Sequence, residues 1–547
     1  MSVPYTFATA TSPIPLANLD ANFVAVGSSA NVSFITAGTG ANATTVQAKL
    51  RTMISVKDFG ATGDGSTDDT TAINNALVAA SGNSLYFPAG TYICTTLSVY
   101  SNTALIGAGA GATMIKAKSS LGGSAALLTT AATGYSNISL DGITFDGNNL
   151  QSRTAELVGF GIVADVTVKN CVFQNVGYIG LAFGGCTRIV VANNRFYNTG
   201  ATAVSSEGGP ALWMGLNGST ACYDGVIQGN EFHDLNWSGM YPMCNNLSIV
   251  GNIIHTVKEG GIFLNNTVNY VSISGNTIIG VTKKYISSSG IEAGCNYLSI
   301  TGNTISSVDS DCISITDTQR TTISGNTLAE CRADSTSFPT ASGIGIISTN
   351  SSPNQPQYIS ISGNDFQSFS VNPYAFVSIG VSGSGYPNYI SIQDNNISGN
   401  TFTSGKAISW TSGKIGATCK FANNLGATDV GYAVGEFQAP SGTGSYSVTG
   451  LDFRPSRVEI LATMASTTGS YQSQSFTDGT TVTCHSIAAT TSACASTTAG
   501  AYMVGMINSS GSLTTTATLT SIDEGGFTLN FTSVSGGRPW CIYRAYP

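Results

Sequence analysis

Ile273-Ser-Gly-Asn276-Thr-Ile278 recurs as Ile300-Thr-Gly-Asn303-Thr-Ile305, Ile323-Ser-Gly-Asn326-Thr-Leu328 and Ile361-Ser-Gly-Asn364-Asp-Phe366, with Ile249-Val-Gly-Asn252-Ile-Ile254 before them. Adding Asn194, Asn230 and Asn395, the asparagine anchors lie 36, 22, 24, 27, 23, 38 and 31 residues apart. That spacing suits one coil of a stacked β-helix, the longer gaps being insertions at a corner. Within each copy the apolar residues keep period two, so these are strands with one buried face rather than a Ser/Gly-rich linker. Strands stacked in this register lie ~4.8 Å apart and bring the asparagines into an amide ladder.

A second register follows the first. Ten residues after Asn194, Asn230, Asn252 and Asn303 come Val204, Met240, Ile262 and Ile313, each expected to be the first inward residue of the next strand. After Asn276 and Asn326 the equivalents are Ile291 and Ile344, at offsets of 15 and 18, so insertions of five and eight residues bulge at the corner before that strand. Such bulges build the walls of a groove.

Composition narrows the function. Of 547 residues only 9% are charged and 42% are hydrophobic, so small polar side chains cover a surface over a real core and disorder does not follow. With 21 basic against 29 acidic residues the net charge is −8 and no basic stripe occurs, which argues against a nucleic-acid partner. No run of about 18 apolar residues is present, and the Met1-Ser-Val-Pro start lacks a basic segment followed by an apolar one. The chain therefore reads as soluble, without membrane insertion or a Sec-type signal. Its 12 cysteines show no framework spacing, so buried free thiols, assembled in a reducing cytoplasm, are expected rather than disulfides.

Three segments follow. Residues 1–52 carry few charges and form a lead module. Residues 53–430 hold the repeats. Residues 431–547 change to strands at shorter spacing, such as Ser445–Val448, Arg457–Leu461, Phe527–Phe531 and Trp540–Tyr543, which predicts an antiparallel β-sandwich. At the start of the repeats a glycine-rich turn runs into a helix with Thr67 or Asp68 as N-cap, and Ala72, Ile73, Ala76, Leu77 and Ala80 share one face that can cover an apolar end.

Asp58-Phe-Gly-Ala61, Gly63-Asp-Gly65, Asp68-Asp-Thr70 and Phe87-Pro-Ala-Gly-Thr-Tyr92 together resemble the opening of the pectate-lyase-like right-handed, single-stranded parallel β-helices, as found in bacteriophage tailspikes. The resemblance implies an all-β virion protein and a homotrimer. It further implies attachment to the phage tail or baseplate through residues 1–52, a bacterial surface polysaccharide as target, and a C-terminal domain for trimerisation or carbohydrate binding. The acids of this opening are turn and cap formers, not catalysts.

Chemistry is sought where acids share the repeat register. Three residues before the inward positions stand Tyr178, Trp237 and Glu259; Asp309 and Asp311 lie four and two before Ile313; Glu292 follows Ile291 and points outward by strand alternation. Glu259, Glu292, Asp309 and Asp311 are thus expected on one stripe over three rungs, beside the insertion Thr282–Ile286. Two carboxylates at about 5 Å, or roughly 6.5 to 9.5 Å, are what glycosidic hydrolysis needs, and stacked rungs supply both distances. The same aspartates at a corner also suit plain capping of backbone N–H groups. Asp311-Cys-Ile-Ser-Ile315 resembles the Asp-Asp-Cys-Ile segment of polygalacturonases, but Ser310, Ser289 and Ser342 replace the other acids and the histidine of that family. A site built from Glu292 and Asp309 is closer to the tailspike endoglycosidases. Trp213, placed in the insertion between Asn194 and Asn230, and Tyr178, Trp237 and Tyr241 offer faces to sugar rings. Lys258, Lys283, Lys284 and Arg320 are the cations a β-elimination would need; Lys283 and Arg320 are also substrate-binding candidates. A non-cleaving adhesin is the third reading. His233, His255 and His485 are too scattered for a metal triad, and no cofactor is called for.

Overall fold

The structure, a computed structural model, describes residue 30 and residues 32–546 except 150–154, 201–208, 216–220, 284–287, 333, 350–355, 369–371, 382–387, 405–406, 413–419, 427–432, 450, 452–454, 456, 467–468, 480, 491–493, 499–501, 509, 511, 524–525 and 536–537. It divides into two compact units, residues 1–244 and 245–547. Most of the expected lead module therefore lies outside the described residues. Its remainder forms a short antiparallel pair, Ser33–Phe34 with Thr44–Thr45, and a helix Val46–Leu50.

In the first unit each coil contributes one strand to each of three parallel sheets, here A, B and C. Ser84–Phe87, Gly90–Cys94 and Leu97–Val99 make one coil, and Thr103–Gly107, Thr113–Ala117 and Leu128–Thr130 the next. Leu85 registers with Leu105, Tyr92 with Ile115 and Leu97 with Leu128. Because side chains alternate, like positions stack into columns inside the coil. Phe145, Phe173, Phe196 and Phe232 form such a column in sheet B, with ring centroids 5.5, 4.8 and 4.7 Å apart. Each buried ring contributes about 1.5–3 kcal/mol by leaving water.

The helix that covers the apolar end spans Thr70–Ala79, with Ile73, Ala76, Leu77 and Ala80 buried as the pattern requires. Its N-cap is Asp69 rather than Thr67 or Asp68. Asp69 turns its carboxylate back to the Thr62 and Gly63 N–H groups, while Asp68 accepts from the Thr70 N–H at 3.1 Å. The opening acids are thus spent on turns.

The second unit repeats the three-strand coil. Asn269–Ser274, Thr277–Thr282 and Ile291–Ala293 are followed by Asn296–Thr301, Thr304–Val308 and Ile313–Thr316. Ile273 pairs with Ile300, Ile278 with Ile305 and Ile291 with Ile313, all parallel. Between sheets A and B the glycine of each Gly-Asn step turns the chain left-handed (Gly275 φ 62°, Gly302 φ 64°), a conformation glycine takes without steric cost. The asparagine then points inward. Asn276 donates Nδ2–H to Asn303 Oδ1 at 2.9 Å, Asn303 to Asn326 at 3.0 Å, Asn326 to Asn364 at 2.9 Å, Asn364 to Asn395 at 2.8 Å, and Asn395 to Asn424 at 2.8 Å. Asn424 extends the ladder beyond the Gly-Asn pattern, since Asn423 (φ 58°) replaces the glycine. In the first unit, Asn194 donates likewise to Asn230 at 3.0 Å.

Each buried Oδ1 also accepts from the N–H of the asparagine one coil below, as Asn303 does from Asn276 at 2.9 Å. Removing one amide therefore orphans several groups at about 1–3 kcal/mol each. Asn303→Ala is expected to lower stability by roughly 3 kcal/mol or more. The nearby exposed Thr304→Ala should change it by no more than about 0.5 kcal/mol. Denaturant melts of the two variants check this.

The corner from sheet C to sheet A is left-handed too. In the first unit it is held by Asn102, Asn137, Asp165, Arg188 and Asp224 (φ 53–58°) and in the second by Asn246, Tyr270, Tyr297, Arg320, Tyr358 and Tyr389 (φ 54–60°). Beyond the coils come two antiparallel sheets. One contains Ala433–Gln438, Trp540–Tyr546 and Arg457–Ser466, and the other Gly444–Val448, Gly526–Val534, Leu513–Asp523 and Val504–Ile507. Val458, Ile460, Val504, Met506 and Leu529 are buried between them, and Ser473 Oγ accepts from the Gly505 N–H at 3.1 Å, which makes a β-sandwich. Every described cysteine in both units whose side chain is defined is a free, buried thiol.

Candidate functional site

The corner between sheets B and C in the second unit brings acids from three successive coils to one edge. Glu259 turns the first (φ 79°), its carboxylate largely buried and its N–H donating to Thr282 O at 3.0 Å. Glu292 sits at the centre of Ile291–Ala293; Ile291 and Ala293 point into the core, so alternation sends Glu292 outward, half-exposed. It registers with Phe263 on one side and Ser314 on the other. Asp309 and Asp311 belong to the third coil. Asp309 Oδ2 accepts from the Lys283 N–H at 2.7 Å.

Asp311 differs from the rest. It is buried, and its Oδ1 accepts from the Ser342 N–H at 2.6 Å. Burial, with the negative Glu292 acting in the same direction, raises its carboxyl to about 7 despite that bond and the Ser314 hydroxyl. Room for the side chain exists because residue 345 is glycine: a Cβ there would stand 2.4 Å from Asp311 Oδ2. Asp311 and Gly345 face a cavity of ≈ 280 Å³ whose other wall is Ser337, Phe338, Pro339 and Thr340. Those four residues belong to the eight-residue insertion expected before Ile344. The Lys283 ammonium lies 5.0 Å from the centre of the Phe338 ring. Lys284 lies outside the described residues.

Not all of the expected site residues meet here. Arg320, although only nine positions after Asp311, is carried round the coil to the corner before sheet A, where its guanidinium lies 5.4 Å from the Tyr297 ring and 5.5 Å from the Tyr358 ring. Tyr178, Trp213, Trp237 and Tyr241 belong to the first unit. Trp213 is on a strand, Leu212–Met214, not in an insertion: Leu181 registers with Leu212 and Leu212 with Met240, so Leu212 takes the inward place expected of Val204, which lies outside the described residues. Trp213 and Tyr241 consequently stack on the outer face of sheet C, 5.6 Å apart at 17°. Tyr178 and Trp237 are half-buried at the corner before that sheet. Ser314 and Gly345 escape a search for acids and aromatics, and Phe338 is passed over because it lies in the insertion before Ile344; the signal for Gly345 is its place directly after Ile344 in the register that puts Glu292 after Ile291. Among the described residues no group of three His, Cys, Asp or Glu side chains is placed to hold a metal ion.

The family model described as rhamnogalacturonase A/epimerase, pectate lyase-like, matches residues 53–153, and that of the periplasmic copper-binding protein NosD matches residues 216–405. The preneck appendage protein of Bacillus phage PZA is 41% identical over 99 residues, 18% of this chain and 11% of that protein. Mannuronan C5-epimerase AlgE3 of Azotobacter vinelandii is 38% identical over 113 residues, 18% of this chain and 6% of that protein. The matches thus span about a tenth or less of these relatives. Among solved structures, the Dettilon tailspike protein superposes with a TM-score of 0.59 at 14% identity, covering 92% of this chain and 96% of that one. A double mutant of the tailspike of E. coli bacteriophage HK620, in complex with a pentasaccharide, gives 0.51 at 12%, covering 94% and 98%. With its coiled parallel sheets, its opening motif and these superpositions, the chain has the pectate-lyase-like right-handed parallel β-helix fold that tailspikes share.

Proposed function

We propose that this chain is a phage tail-associated protein that binds a bacterial surface polysaccharide and cleaves it by glycosidic hydrolysis at the Asp311 corner. The observation that carries the reading is a carboxyl held near pH 7 beside a second carboxylate one coil away. In the proposed reaction Asp311 gives its proton to the glycosidic oxygen as the bond from that oxygen to the anomeric carbon breaks. Glu292, pointing outward, either takes a proton from the water that adds to the anomeric carbon, or attacks that carbon itself to form a glycosyl ester, which water then cleaves as Asp311 takes the water's proton back. Asp309 and Glu259 position the corner. The cavity, below the about 300–1,000 Å³ of drug-sized ligand sites, holds one ring of a chain that runs on past it. In support, relatives with this fold include tailspikes, one of them solved with a pentasaccharide.

Placement of the protein in the virion, a homotrimer and attachment through residues 1–52 belong to the same proposal. A solution mass of about three times 56.1 kDa is the expected result. The second reading, β-elimination or epimerisation of a uronate, is favoured by the Lys283 ammonium beside Phe338, which could neutralise the sugar carboxylate, and by the likeness to a mannuronan epimerase.

Weighing the products separates the readings. Hydrolysis adds one water per bond cut. Elimination adds none and leaves an unsaturated sugar that absorbs in the near ultraviolet, and epimerisation leaves chain length unchanged. If the first holds, the rate should also fall about tenfold per pH unit above pH 7, as Asp311 loses the proton it must donate. A rate that stays flat to pH 9 removes Asp311 as the donor.

A further inference from the structure

The left-handed corner before sheet A carries a second feature, distinct from the Asp311 corner. In the first unit the corner is built from Asn102, Asn137, Asp165, Arg188 and Asp224, and all of these but Arg188 are Asn or Asp, residue types that tolerate positive φ. In the second unit the same turn, at the same φ, is taken by Tyr270, Tyr297, Arg320, Tyr358 and Tyr389 on successive coils. A bulky side chain at positive φ is an outlier wherever it occurs. The turn itself does not ask for one, since Asn246 makes it at φ 54°. The backbone thus accounts for the corner but not for these side chains.

The five side chains form one exposed stack. Tyr270 and Tyr297 lie 4.6 Å apart, Tyr358 and Tyr389 4.7 Å, and the Arg320 guanidinium fills the gap between the pairs at 5.4 and 5.5 Å from the flanking rings. The tyrosines are 56, 44, 49 and 48% exposed in chain order. Within the strip the ring faces are used up on one another and on Arg320, so a sugar ring has no face to stack on between Tyr270 and Tyr389. What the strip presents to solvent is edges. These are four phenol hydroxyls and, among the described residues, a guanidinium with no carboxylate at ion-pair distance. Two rings flank that planar guanidinium and restrict its orientation, which favours two-pronged donation to a carboxylate or phosphate. In a chain of net charge −8 an anion has few such places.

We propose that the strip from Tyr270 to Tyr389 is a second glycan-binding site, selective for acidic polysaccharide, in which Arg320 binds the anionic group of one sugar and the tyrosine hydroxyls bond to its neighbours. It takes the polymer along the coil axis, and it does not depend on cleavage at Asp311. The test uses the full chain carrying Asp311→Asn, so that nothing is cut and a failure here is separate from a failure of the hydrolase reading. Binding of a fluorescent oligogalacturonate is compared with that of a neutral malto-oligosaccharide of equal length, with and without Arg320→Gln. The expected result is binding of the acidic probe that weakens at least tenfold in Arg320→Gln and less in Arg320→Lys, at an unchanged melting temperature and solution mass. Three results would each overturn the proposal: equal affinity for the neutral probe, affinity for the acidic probe unchanged by Arg320→Gln, or a fall in solution mass in Arg320→Gln, which would make the strip a contact between copies of the chain.

Discussion

Replacing Asp311 by Asn is expected to slow polysaccharide cleavage by about 10³-fold, within the 10²–10⁴ that a positioned proton donor supplies. Asparagine has the same outline and its amide oxygen can still accept from the Ser342 N–H, so the corner and its cavity persist. What it lacks is a proton to give. Binding of the polymer to the variant should therefore survive while release of new reducing ends stops. Glu292→Gln should match that loss, because the pair acts as a unit. Asp309→Asn should cost far less, since an amide oxygen can still accept from the Lys283 N–H. The same substitution alters stability with a definite sign. A carboxyl whose folded value lies near 7, above its ordinary 3.8, stabilises the fold fully below pH 4, and that contribution is lost as pH rises through 7. Wild type and Asp311→Asn should thus converge in melting temperature near pH 4, and Asp311→Asn should be the more stable at pH 8.5.

Gly345→Ala should lower activity by about 10²-fold, though residue 345 carries no chemistry. The backbone of Gly345 is ordinary strand, in the run Ile344–Ser348, so alanine meets no conformational barrier. Its methyl would instead stand 2.4 Å from Asp311 Oδ2, closer than such atoms approach. The carboxyl must then rotate away from Ser342 and Ser314 towards the cavity. A displacement of this size at a reacting group costs on the order of 10²-fold in rate. A reducing-end assay beside a melting curve checks it: activity falls with a shift in melting temperature of only a few degrees. Gly380→Ala, lining the same cavity in register with Ile347, is the comparison that should retain activity.

How far these residues could be read in advance depended on whether they lie in the repeat. Asn276, Asn303 and Asn326 announce the coil because each must satisfy the next, so the pattern cannot drift. Counting from Ile291 and Ile313, which do register, places Glu292 and Asp311 on neighbouring coils. Arg320 shows where counting fails. Nearness along the chain suggests the acids, but each corner of the coil sends the next strand to another sheet, and nine residues suffice to leave the site. Counting misplaces Trp213 for the related reason that the insertion before Leu212 shifts the register by eight residues from Val204. Ser342 and Gly345 act on Asp311 from the following coil, after an insertion whose length hides their closeness. Nor does any pattern in the sequence reveal that Asp311 is buried while Asp309 caps the Lys283 N–H; that division follows from which one lies over Gly345.

The protonation of Asp311 can be observed directly by infrared difference spectra of the full chain against Asp311→Asn, taken across pH without substrate. The account predicts a protonated-carboxyl band, present in wild type and missing from the variant, that persists through pH 6 and fades around pH 7. A band already gone by pH 5 would contradict it, leaving Asp311 an ordinary capping carboxylate and the corner without its acid.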